Sequence, residues 1–226
     1  MANLLIIDTA LEEAIIALSK DDKIIAELAN KEMHSHASFI QVAIANLLAE
    51  QQMAISELDA IAVTLGPGSY TGLRVGLATA KGIAYTLQKP LIGLSTLSAL
   101  ATAAIQLVPN TMEPPIQIFA MIDARRMEVF GAVFDPFCKP ILQEQAMVLD
   151  QAKWSSLILQ PTICIGNGQA KTKDFTAPHQ VIYLEGHYTS QVLLDMALTK
   201  LNAVQFEDLA YVGPNYLKEV YIIPAK

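Results

Sequence analysis

An apolar run, Ala60-Ile61-Ala62-Val63-Thr64-Leu65, opens directly into Gly66-Pro67-Gly68-Ser69-Tyr70-Thr71-Gly72, and a stretch rich in small residues, Leu73 to about Leu87, follows. The first run reads as a buried strand and the longer one as a helix. A strand that turns this quickly into a helix commits the chain to an α/β layer, because the helix must pack back on its strand's sheet. The loop at the junction has two readings. The N–H groups of Gly66, Gly68, Ser69, Thr71 and Gly72, with the helix dipole behind them, suit an anion. The same glycines suit a tight turn with positive φ and a close helix approach. The loop is not a Walker A, since Thr71 stands where the second glycine is needed and no Gly-Lys-Ser/Thr follows. Ser69 also lacks a Gly-x-Ser-x-Gly frame.

Around this junction the patterning predicts strand Leu4–Ile7 and a hairpin of Ala14–Leu18 with Ile24–Leu28 about Ser19–Lys23. A helix follows from about Ser38 to Gln51, capped by Ser35 or Ser38. After the glycine loop come strand Leu91–Leu94, opened by Pro90, and a helix from Ser95-Thr96 to about Leu107. Pro109 and Pro114-Pro115 bound a linker. The order then partly repeats: strands Ile116–Ile122, Val129–Phe134 and Gln145–Leu149, a short helix Lys153–Leu159, strand Thr162–Ile165, strand Val181–Leu184 and helix Ser190–Asn202. Gly166-Asn167-Gly168 stands where the first glycine loop stood, and the helix after it shrinks to a short polar Gln169–Thr176. The expectation is an α/β protein with a duplicated βββαβαβα architecture and a cleft between two lobes. The first lobe is 1–108 and the second, reduced one 115–204, with 205–226 free to pack back on the first.

With 226 residues, 53% hydrophobic and 16% charged, the chain should bury a large core and still leave apolar surface for a partner to cover. The net charge is −7, and Arg74, Arg125 and Arg126 are the only arginines. Without clustered cations to displace counterions, tight nucleic-acid binding by this chain alone is not expected. Cys138 and Cys164 form no C-x-x-C and imply no disulfide framework, which suits the cytoplasm. Leu4–Ile7 is too short for a signal segment, and no run approaches the roughly 18 apolar residues of a membrane span.

Two helices carry more apolar surface than one sheet needs. In Ala37–Leu48 the stripe of Ile40, Ile44, Leu47 and Leu48 leaves Phe39, Val42, Ala43 and Ala45 largely outside it. In the helix after the glycine loop, Gly72, Gly76, Thr79, Ala80 and Ile83 repeat at i, i+4, i+7, i+8 and i+11, a spacing that lets another helix approach closely. Both faces could also be internal, one on the sheet and one on the neighbouring helix. His34-Ser35-His36 would point its rings about 160° apart on a helix, so surface or capping histidines are expected rather than a metal site. His179 and His187 are remote in sequence.

Leu5-Ile6-Ile7-Asp8-Thr9, the run Gly66 to Gly76, Ile122-Asp123-Ala124-Arg125-Arg126-Met127-Glu128-Val129-Phe130 and a weaker Pro214-Asn215-Tyr216-Leu217 together resemble the TsaB (YeaZ) family. The resemblance runs over nearly the full length. It implies the ASKHA fold of actin, Hsp70 and sugar kinases. It also implies a non-catalytic subunit that pairs with TsaD while TsaD transfers a threonylcarbamoyl group from its adenylate to N6 of the adenosine beside the tRNA anticodon. In the family the two corresponding helices of each subunit form a bundle. Phe39, Val42, Ala43, Tyr70, Leu73, Arg74, Gly76, Leu77 and Ala80 are then the expected interface, and a homodimer through the same face is the fallback without TsaD. On this reading, enlarging Gly76 or Ala80 weakens pairing more than folding. Tyr70 and Arg74 could equally be a packed aromatic and a surface charge. The C-terminal segment, with Val220, Tyr221, Ile222 and Ile223, lies in the family near TsaD and the accessory ATPase TsaE, or docks on its own core. tRNA is reached only through the complex, and a nucleotide at the heterodimer junction stays open.

An ASKHA ATPase needs two phosphate hairpins, each with a carboxylate and glycines. Here Asp8-Thr9 runs into Ala10-Leu11-Glu12-Glu13, and Asp123 into Ala124-Arg125-Arg126, so side chains occupy the space phosphate needs. Asp8 and Asp123 read as turn carboxylates capping backbone N–H groups. No cofactor or metal of the chain's own is expected. The rivals are an autonomous ASKHA-type ATPase or small-molecule kinase, which calorimetry with Mg-ATP addresses, and a metal-dependent peptidase.

Overall fold

The computed structural model describes residues 2–31, 36–107 and 116–218, leaving aside the side chains of His36 and Ala37. His34, Ser35, Pro109, Pro114, Pro115 and residues 220–223, all invoked above, lie outside the described residues. The chain divides into two compact units, Met1–Ala103 with Tyr188–Pro214, and Ala104–His187 with Asn215–Lys226.

The first unit is built on β1 (Asn3–Asp8), β2 (Ala14–Lys20), β3 (Lys23–Asn30), β4 (Ala60–Gly66) and β5 (Leu91–Ser95), in the order β3-β2-β1-β4-β5. β1 to β3 are antiparallel, and β1, β4 and β5 run parallel. Leu4 to Ile7 and Ala60 to Val63 are wholly buried, as central strands covered on both faces require. The helix α1 (His36–Glu50) lays Ile40, Ala43, Ile44, Leu47 and Leu48 on this sheet, one stripe at helical spacing. Ala43 therefore belongs to the buried stripe, contrary to expectation, while Val42 stays 58% exposed. Ser38 lies inside α1 and so is not its cap.

The second helix, α2, spans Tyr70–Leu87, three residues longer at its start than the apolar pattern indicated. Ser69 is its cap: the hydroxyl accepts from the Gly72 N–H at 3.3 Å. Tyr70, Thr71 and Gly72 thus form the first helical turn instead of a loop. Gln88, in the left-handed conformation, ends the helix. Leu77, Ala80 and Ala84 join Leu5, Ile7, Ile61 and Val63 in one apolar cluster with the α1 stripe. The third helix, α3, is Thr96–Leu107.

The second unit repeats the plan. It contains β6 (Gln117–Asp123), β7 (Glu128–Phe134), β8 (Pro140–Val148), β9 (Thr162–Ile165) and β10 (Val181–Leu184), ordered β10-β9-β6-β7-β8, the same succession read from the other edge. A short helix, α4 (Gln151–Leu157), sends Trp154 into a core with Phe119 and Phe175, at ring separations of 6.1 and 6.2 Å. Between β9 and β10 the reduced helix is a 3-10 segment, Asn167–Thr172.

The last helix, α5 (Ser190–Asn202), belongs to the first unit, so the second lobe does not run to 204. Its polar anchors all reach back: Lys200 Nζ donates to the Gly93 carbonyl at 2.6 Å, Gln191 Nε2 to the Asp22 carbonyl at 3.0 Å, and the Ser190 hydroxyl to the Glu27 carboxylate. The segment after it continues this attachment: Glu207 N–H donates to the Leu91 carbonyl at 2.8 Å, and Lys81 Nζ to that of Val212 at 3.1 Å. Residues 205–214 therefore pack on the first unit, and the chain from Asn215 on falls in the second.

Candidate functional site: glycine loop and helix pair

β1 ends at Asp8, and the Thr9-Ala10 corner beyond it is where the glycine loop lands. The Ser69 N–H donates to the Ala10 carbonyl at 2.7 Å, and the Thr9 hydroxyl donates to the Gly72 carbonyl at 2.7 Å. A Cβ on Gly68 would lie 2.1 Å from the Ala10 oxygen, one on Gly72 2.2 Å from the Thr9 oxygen, and one on Gly76 2.3 Å from Thr9 Oγ1. Gly68, just before the Ser69 cap, and Gly72 and Gly76 on α2 thus seat the start of the helix on the corner that follows β1. Gly66 does a different job, turning the chain at φ 113. Of the five residues expected to offer an anion contact, Ser69 and Gly72 spend their N–H groups inside the fold, Gly66 is buried, Gly68 is pressed against Ala10, and Thr71 is exposed.

Asp8 is buried beneath this loop. Its Oδ1 accepts from the Ala10 N–H at 3.0 Å and from the Thr64 hydroxyl at 2.7 Å, the geometry of a turn carboxylate. The Tyr188 hydroxyl is enclosed near it; burial first, and the Asp8 charge second, hold its proton well above the ordinary 10. The second hairpin behaves alike. Asp123 Oδ1 accepts from the Arg125 N–H at 2.5 Å and pairs with Lys171 Nζ at 2.8 Å. Partial burial alone would raise Asp123, but the lysine and that N–H outweigh it and hold the carboxyl below 3.8.

The expected interface residues divide sharply. Leu73, Gly76, Leu77 and Ala80 are buried on the inner face of α2, and Ala43 on that of α1, so none offers area to a partner. Enlarging Gly76 or Ala80 therefore strikes the fold first, reversing the sequence-based expectation. Val42, Tyr70 and Arg74 are exposed and Phe39 is partly buried against the cluster. Arg74 donates to the Tyr70 hydroxyl at 2.6 Å, with its guanidinium 5.3 Å from the ring centre, so Tyr70 is no packed core aromatic.

Between α1 and α2 lies an open, largely apolar groove of about 520 Å³, lined by Ile44, Ala45, Leu48, Ala78, Thr79 and Ile83, with the exposed Gly82 beside them. A Cβ on Gly82 would meet nothing within 4 Å. Thr79 and Ile83 of the small-residue repeat line this groove, whereas Ala78 and Gly82, with Ile55 beside them, were not singled out in the sequence. The signal was present, since an exposed glycine inside a helix costs about 1 kcal/mol against alanine and needs a reason. Among the described residues no group of three or more His, Cys, Asp or Glu could hold a metal, and no helix is long and apolar enough to cross a membrane.

Comparison with known proteins agrees with this architecture. The profile of the TsaD family, tRNA N6-adenosine threonylcarbamoyltransferase, matches residues 23–153. The tRNA threonylcarbamoyladenosine biosynthesis protein TsaB of Haemophilus influenzae is 33% identical over 221 residues, covering 91% of this chain and 86% of that protein. TsaB of Bacillus subtilis is 30% identical over 170 residues, 73% of this chain and 70% of its own. The solved structure of YeaZ from Pseudomonas aeruginosa superposes with a TM-score of 0.77 at 25% identity, over 96% of this chain and 100% of that one. A duplicated ASKHA-type fold, the helix pair beside the glycine loop and these likenesses converge: the chain belongs to the TsaB (YeaZ) family of tRNA threonylcarbamoyladenosine biosynthesis proteins, within the wider group that the TsaD profile describes.

Proposed function

We propose that this chain is a non-catalytic subunit that pairs with a TsaD-family transferase through the groove between α1 and α2. The transferase carries the threonylcarbamoyl transfer to N6 of adenosine in tRNA; this chain keeps it in an assembled form. TsaE joins as an accessory ATPase, tRNA is engaged through the complex, and the assembly works in the cytoplasm. The observation that carries the reading is Gly82: exposed, mid-helix, with open space where a Cβ would stand and apolar walls on both sides. Alanine there would strengthen the isolated helix, so glycine is explained by an incoming helix that needs the room. The spent donors of the glycine loop and the self-capped Asp8 and Asp123 support a chain without its own nucleotide chemistry.

Gly82→Arg fills the groove from a position with no internal neighbour. The variant should unfold at or above the wild-type urea concentration yet fail to co-elute with the transferase in size exclusion. Undiminished co-elution would remove the groove from the interface. Calorimetry with Mg-ATP on the isolated chain tests the catalytic rival, and micromolar binding with turnover would restore it.

A further inference from the structure

Two of the chain's three arginines stand side by side at the tip between β6 and β7, in a chain of net charge −7. Both are exposed and both hold left-handed backbone, φ 70 at Arg125 and φ 49 at Arg126. Glycine or asparagine fills such a turn without strain, so these side chains are kept at some cost to the backbone. The nearby carboxylates do not explain them. Asp123 takes Lys171 at 2.8 Å, and Glu128 takes Lys218. Among the described residues neither guanidinium has a hydrogen bond or an ion pair, while the Arg125 main chain is tied down at both ends, its N–H to Asp123 and its carbonyl to Glu128 N–H at 3.1 Å. The turn is thus rigid where it meets the sheet, neutralised by its own lysines, and carries two uncompensated cations outward.

We infer that Arg125 and Arg126 form a phosphate-contact site for the tRNA backbone, used while the chain is held in its complex. The inference rests on the pairing proposed above. Guanidinium suits this role because its planar fork meets two phosphate oxygens at once. Two contacts add little affinity alone, which agrees with a chain too acidic to hold nucleic acid unaided, but they orient a substrate that the partner binds.

The test is a salt series of tRNA binding, by fluorescence anisotropy, on the complex of the full chain with its transferase. The double variant Arg125→Asn/Arg126→Asn suits the left-handed turn and should leave the urea midpoint unchanged or raise it. Its affinity should fall about 5- to 10-fold at 0.1 M salt, and the slope of log affinity against log salt should shrink by about 1.4 to 1.8, the release expected for two phosphates. Arg125→Lys/Arg126→Lys should keep most of that slope. A wild-type slope in the Asn variant overturns the site, and so does a Lys variant that loses the slope equally, since the turn would then act by shape. Failure of the Asn variant to assemble, with tRNA binding by the isolated chain unaltered, would assign the arginines to an acidic protein surface and also overturn it. If the wild-type chain does not assemble, the pairing fails first. The titration of the isolated chain at about 20 mM salt then decides, where equal salt slopes in wild type and the Asn variant reject the site.

Discussion

A carboxylate with almost no contact with water must be met by donors, and at Asp8 those donors come from two strands' ends. The Ala10 N–H and the Thr64 hydroxyl converge on one oxygen. Asp8→Ala leaves both donors buried without an acceptor and should cost about 2 to 4 kcal/mol in urea unfolding. A cost near zero would mean water replaces the carboxylate. Gly76 is set by the same corner. Gly76→Ala drives a methyl to 2.3 Å from Thr9 Oγ1, and should destabilise by about 1 to 3 kcal/mol. The next atom, Thr9 Cβ, is 3.5 Å away, so the penalty should shrink in a Thr9→Ala background. A double-mutant cycle with no coupling would refute that close approach. At Asp123 the direction of the pKa shift fixes the pH response. Its folded pKa is below the ordinary 3.8, so its contribution is complete above that value and fades as pH falls through the lower folded one. Lys171→Met should move the Asp123 carboxyl upward in an NMR titration, and an unmoved resonance would take the lysine out of the account.

α2 joins two jobs on opposite faces, and this explains what could be read from the residues and what could not. Its inner face fits the corner after β1 through Gly72 and Gly76, and its outer flank borders the groove through Ala78 and Gly82. Small residues at helical spacing were legible in the sequence, but a spacing has no direction: it does not say whether the close neighbour is the chain's own strand or another molecule. The succession of elements along the chain was largely legible because each apolar run is local and ends at Gly, Pro or a polar turn. The placing of α5 was not, because its anchors at Asp22, Glu27 and Gly93 are more than 100 positions away. Asp8 and Asp123 were legible as turn carboxylates because each caps the N–H two residues on. The outer flank gives its own prediction. Gly82→Ala should stabilise the isolated chain by about 0.5 to 1 kcal/mol, since the new methyl meets nothing. The same change should weaken binding to the transferase in isothermal calorimetry. Stabilisation with unchanged affinity would leave the glycine without a binding role.

A chain that is 53% hydrophobic, with an open apolar groove between two of its helices, has surface to hide when its partner is missing. A second copy is a natural candidate to cover it, because a surface patch that is complementary to itself closes about a two-fold axis. The isolated protein should therefore associate with itself at micromolar concentrations, moving in sedimentation equilibrium from the 24.5 kDa monomer toward a dimer as concentration rises. The net charge of −7 gives the expected salt response. Like-charged copies repel, so added salt should tighten an apolar dimer by screening, whereas a dimer held by ion pairs would loosen. Gly82→Arg should abolish the association and leave a folded monomer, because the new side chain starts from a groove-lining position where a Cβ meets nothing within 4 Å. Phe137, 83% exposed at the turn between β7 and β8 in the other unit, supplies the control. Phe137→Ser removes a highly exposed apolar side chain outside the groove, and the dimer should persist. A dimer that survives Gly82→Arg and is lost with Phe137→Ser would put the self-association on the second unit and separate it from the helix pair.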